Sequence, residues 1–63
     1  MLDFQFSNHG SIGLLKPLSP AAHDWVQDNL PAERQEFAGA VVIEPRYADP
    51  ILEGIILDGL EVN

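Results

Sequence analysis

The segment Val41–Tyr47, VVIEPRY, runs three β-branched residues into Glu44, Pro45, Arg46 and Tyr47. The chain has only three basic residues, Lys16, Arg34 and Arg46, and five aromatic ones, so an arginine beside a tyrosine raises the first functional question. A guanidinium at a strand end offers a planar fork of donors that can hold a carboxylate or phosphate in bidentate fashion. Glu44, Arg46 and Tyr47 would then form a small interaction corner. The same residues also suit a structural role, with Arg46 paired to Glu44, Asp49 or Glu53 and Tyr47 packed on the sheet edge. Pro45 and Pro50 bracket the segment and restrict its backbone for either purpose. Isolated charge pairs at corners are common, and we expect the structural role.

Other groupings carry less chemistry. His23, Asp24 and Asp28 hold the residue types of a proton relay or a metal pair. Adjacent residues on a helix diverge by about 100°, however, so His23 and Asp24 point apart. Asp24 and Asp28 share a face at i, i+4, where like charges usually mark solvated surface. His9 falls in a turn, and Asn8, His9 and Ser11 lack the third partner that hydrolytic catalysis requires. There is no phosphate-cradling loop and no HExxH motif. With no cysteine, disulfides and thiolate metal sites are excluded, and two histidines alone do not close a zinc site. We expect no catalytic residues, no metal, no cofactor and no enzyme activity.

Ten acids against three bases give a net charge of −7. Nucleic-acid binding needs clustered Lys and Arg, and anionic membrane surfaces attract the same cations, so neither is an expected partner. The acids are spread over every part of the chain, which fits a solubilising role better than a dense imitation of DNA phosphates. No segment approaches the roughly 20 apolar residues of a spanning helix, and the N-terminus does not read as a leader. A soluble, cytoplasmic protein is the expectation.

The elements that must position these residues follow from periodicity. Sixty-three residues make a single domain, 1–63. In LDFQF, Leu2, Phe4 and Phe6 alternate with Asp3 and Gln5, the pattern of a half-buried strand. SNHG supplies a turn, and SIGLLKPL returns with Ile12 and Leu14 on one face. Gly13 between them marks a bulge or the close approach of another backbone. Ser19 and Pro20 open a first helix whose apolar stripe is Ala22, Trp25, Val26 and Leu30, with Asp24 near its positive end and Pro31 closing it. AERQEFAG reads as a polar connection anchored by Phe37, and AVVIE as a central strand buried on both faces. Asp49 and Pro50 open a second helix, buried through Ile51, Leu52, Ile55 and Ile56 and ended by Gly59 at a left-handed position. Leu60–Val62 adds a short last strand or folds back on the helix. Trp25, Val42 and Ile55 are expected to share the core. The fold class is α+β: a two-layer β-hairpin–α–β–α sandwich with both helices on one face of the sheet.

The segments NHGSIGLLKPLSPAAHDWVQDNLP, VVIEPRY and ILEGIILDGLEV resemble a group of short uncharacterised bacterial proteins, some phage- or mobile-element-associated. The resemblance covers nearly the whole chain and implies a role in phage or mobile-element biology. It brings no catalytic residue or mechanism.

These readings together point to a small acidic domain that works through protein–protein contact, with self-association into a homodimer expected. So short a chain lacks the cross-links that usually stabilise small domains, and its first hairpin offers an open edge. The second reading is an acidic nucleic-acid mimic that inhibits a basic DNA- or RNA-binding partner. The third is a small-ligand binder at Glu44, Arg46 and Tyr47.

Overall fold

The computed structural model describes residues 1–63. Strands β1 (Phe4–Asn8) and β2 (Gly13–Pro17) form an antiparallel hairpin in which Phe6 opposes Leu15. Its turn is held by the Asn8 side chain, whose Oδ1 accepts from the Gly10 amide at 2.9 Å, while Gly10 takes a φ of +83°. Helix α1 (Pro20–Asn29) follows, then β3 (Glu36–Phe37), β4 (Ala40–Ile43) and α2 (Pro45–Leu57). The sheet order is β1-β2-β4-β3, antiparallel throughout, with both helices on one face. The architecture is the expected α+β sandwich.

Strand register decides what faces the helices. Leu15 opposes both Phe6 and Val41, and Gly13 opposes Ile43, so these residues and Phe4 share the inner face. Ala22, Trp25 and Val26 of α1 and Ile55 of α2 close over them. Phe4, Leu15 and Ile55 are fully buried. Phe4 meets Trp25 edge to face, with centroids 5.9 Å apart and rings at 83°. Such a pair adds about 0.5–1.5 kcal/mol beyond area burial.

Several local expectations are corrected. Leu14 points away from the helices and Leu15 towards them, while Ile12, before β2 at the hairpin end, is 37% exposed. Val42 likewise lies on the outer face, so Val41 and Ile43, and not Val42, join Trp25 and Ile55. Gly13 faces a side chain rather than a backbone: a Cβ there would stand 2.6 Å from Phe6 Cζ. Asp24 stands in the second turn of α1, beyond the first-turn amides. The polar connection contains β3, turned into β4 at Ala38 and Gly39 with φ of 53° and 81°. Two successive positive φ values match the right-handed twist of a tight hairpin. Phe37, 65% exposed, anchors nothing in the core.

The second helix starts earlier than expected. Pro45, not Pro50, occupies its first position, after Glu44, and Pro50 lies inside it. Both prolines suit a first turn locally. Starting at Pro45 lets Ala48 join Ile51, Leu52 and Ile55 in one stripe against the core, which offsets the hydrogen bond that Pro50 cannot make. Ile56 falls outside this stripe and is exposed. The helix ends as expected: Gly59 has φ +83°, its amide donates to Ile56 O at 3.0 Å, and that of Leu60 donates to Ile55 O at 3.1 Å. Those two bonds define a Schellman motif.

Residues 61–63 run parallel beside β1. The Asp3 and Phe4 amides donate to Glu61 O at 3.0 and 2.9 Å, and the Asn63 amide donates to Phe4 O at 3.1 Å. The β1 edge is therefore covered.

A groove beside the Glu44–Tyr47 corner

At the corner, Glu44 is the N-cap residue of α2 but makes no side-chain capping bond. Its carboxylate instead accepts from Arg46 Nε at 2.9 Å, with both side chains well exposed. The Arg46 guanidinium also lies over the Tyr47 ring, 4.8 Å from its centroid. An exposed ion pair contributes up to about 1 kcal/mol, and an exposed cation–π contact about 0.5–1 kcal/mol. Arg46 is thus occupied by its two sequence neighbours, the structural arrangement. Asp49 and Glu53 do not pair with it.

Tyr47 has a second side. The two helices touch where Trp25 passes beneath Gly54: a methyl group at Gly54 would lie 3.5 Å from Trp25 Cζ2. The indole N–H of Trp25 donates to Asp58 Oδ2 at 2.7 Å and pins this end. Towards Leu30 and Tyr47 the helices part, leaving an open groove of about 430 Å³. Leu30 and Pro31 form one wall, Tyr47, Pro50 and Ile51 the other, and β4 from Val41 to Ile43 the floor. That size lies at the lower end of the range for ligand-holding clefts, about 300–1,000 Å³.

Arg34 lines the same groove, and the sequence reading assigned it nothing. Its side chain is only 14% exposed. Nη1 donates to Pro31 O at 3.1 Å, and Nε stands 3.1 Å from Glu36 Oε2. That second contact is an ion pair without a hydrogen bond, because the N–H does not point at the carboxylate. The available signal was scarcity: Arg34 lines the groove and Arg46 stacks on a residue that does, two of the three cations in a chain of net charge −7.

The remaining candidates stay apart. His23, Asp24 and Asp28 are exposed on α1, and His9 is exposed in the hairpin turn. No three His, Asp or Glu side chains have metal-binding geometry. No helix is long and apolar enough to cross a membrane. A smaller cleft of about 150 Å³, between the hairpin end and the start of α2, has Asp49 as its one charged residue. Comparison with family models, with curated proteins and with solved structures found no match.

Proposed function

We propose that this chain is a non-enzymatic protein-binding domain whose groove between α1 and α2 receives an apolar side chain of a partner. The observation that carries the reading is the groove itself, an apolar cleft open to solvent and walled by Pro31, Pro50 and Tyr47. Prolines and a ring held by a stacked arginine have little conformational freedom left to lose, so docking there costs little ordering entropy. The absence of cysteine and the acidic surface suit a cytoplasmic setting, and the resemblance to short bacterial proteins suits a phage or mobile-element context.

One observation favours nucleic-acid mimicry as the second reading. Asp24, Asp28, Asp49 and Glu53 are all exposed on the two helices, so the helical layer carries a one-sided negative charge. Affinity capture from a host lysate at low and high salt, with Pro50→Lys alongside the wild type, separates the two. A groove partner is retained in high salt and lost with Pro50→Lys. A basic partner drawn by mimicry dissociates steeply with salt and tolerates Pro50→Lys. Capture indifferent to both treatments sinks both readings.

A further inference from the structure

On β1, β2, β3 and β4 no acid falls on the sheet face turned away from the helices; Glu61, which alternates with the inward-facing Val62 beside β1, lies at the rim of that face. Gln5 opposes Lys16, Leu14 opposes both Ser7 and Val42, and Phe37 opposes Ala40, so these residues form the outer face. Ten carboxylates are distributed over the chain, yet none occupies these positions, and Lys16 is the only charge among them. Glu36 opposes the inward-facing Val41 and so belongs to the other side. Leu14 and Val42 are half-buried, Ala40 is buried, and Phe37 is open to solvent.

We propose that this face is where two copies of the chain meet. Like charges of −7 oppose association through any acid-bearing surface. Face-to-face stacking of the two sheets is the arrangement that keeps the helical carboxylates out of the contact and leaves Glu61 at its rim. It sends the helical acids to opposite outer sides of a pair whose halves are each 18–27 Å across. They then lie more than two Debye lengths apart, a length of about 8 Å at physiological salt. Pairing through strand edges is less open: residues 61–63 cover β1, and β3 offers two residues. A two-fold axis near Leu14 and Val42 packs these two side chains on their copies and places the two Lys16 side chains on opposite sides of the axis.

Size sets the strength. The strands hold five, five, two and four residues; at about 3.3 Å per residue and about 4.8 Å between strands they give a flat area of roughly 250 Å². That is well below the ~800 Å² per partner of a standard stable interface. The pair is therefore weak and reversible, and salt, by screening the residual repulsion, strengthens it.

Sedimentation equilibrium of the full chain, from micromolar to millimolar concentration in low and high salt, tests the proposal. The expected mass rises from 6.9 kDa towards twice that with concentration, and further in high salt. Phe37→Glu and Lys16→Glu, both at exposed positions, weaken association about tenfold or more while keeping the wild-type melting curve. Pro50→Lys leaves it unchanged, which separates this face from the groove. A constant 6.9 kDa throughout overturns the proposal, as does association that survives both glutamate variants.

Discussion

The Ser19 hydroxyl donates to Asp3 Oδ1 at 2.6 Å and accepts from the Ala22 amide at 3.1 Å, so the cap of α1 is itself held by the residue before β1. The other oxygen of Asp3 accepts from the Glu61 amide at 2.9 Å. One carboxylate thus joins the start of the sheet, the start of α1 and the strand-like segment beside β1. These three segments are far apart in sequence, and each has its backbone order reinforced by the others.

That arrangement predicts a specific acid limb. The Glu61 amide, and next the Ser19 hydroxyl, hold the Asp3 carboxyl below its ordinary range. A folded-state pKa below the unfolded value of about 3.9 means that the unfolded chain binds the proton more readily. The resulting stability is full above about pH 4 and is lost as pH falls through the lowered folded value. Thermal melts from neutral to acid pH should show Asp3→Asn less stable than wild type at neutral pH, with the two converging in acid. Parallel curves would show that Asp3 does not drive this limb.

Trp25 combines packing with a polar handle. Trp25→Ala removes the ring contact with Phe4 and opens a core cavity, at a cost of about 3–5 kcal/mol, enough to unfold a small domain. Trp25→Phe keeps an aromatic ring and loses the bond to Asp58, costing about 1–3 kcal/mol. Denaturant midpoints of the two variants should fall in that order. Native indole emission should be blue-shifted, because Trp25 is buried.

The early start of α2 gives a pair of opposite expectations. Asp49 stands inside the helix rather than at its cap, so Asp49→Ala should change stability by no more than about 0.5 kcal/mol. Pro50→Ala restores an amide donor within the helix and should stabilise by about 1–3 kcal/mol. A helix that began at Asp49 would show the reverse, with the Asp49 variant suffering and the Pro50 variant nearly neutral.

Gly59 closes α2 in the left-handed region. Gly59→Val should cost about 1–2 kcal/mol, since a Cβ is disfavoured at that φ, although nothing lies near enough to collide with it. A wild-type denaturation midpoint for Gly59→Val would place the helix end elsewhere.

What the sequence determined by itself was set by nearest neighbours. Ser19 followed by Pro20 marks a helix start because one supplies an acceptor and the other needs no donor partner, and Gly59 marks a helix end by its freedom at positive φ. The hairpin, the strand at Ala40–Ile43 and the α+β class follow from such signals together with periodicity. Tertiary structure decided the matters on which local signals were silent or divided. Ala40–Ile43 is apolar throughout, so nothing in it tells Val41 from Val42; only pairing with β2 turned Val41 and Ile43 inward. Leu14 and Leu15 posed the same ambiguity on β2. Asp49–Pro50 read locally as the helix start, yet the helix begins at Pro45, where Ala48 joins the stripe against the core. The covering of β1 by residues 61–63, and the groove that brings Arg34 to Tyr47, join residues too distant in sequence for periodicity to register, because they arise only when the layers close.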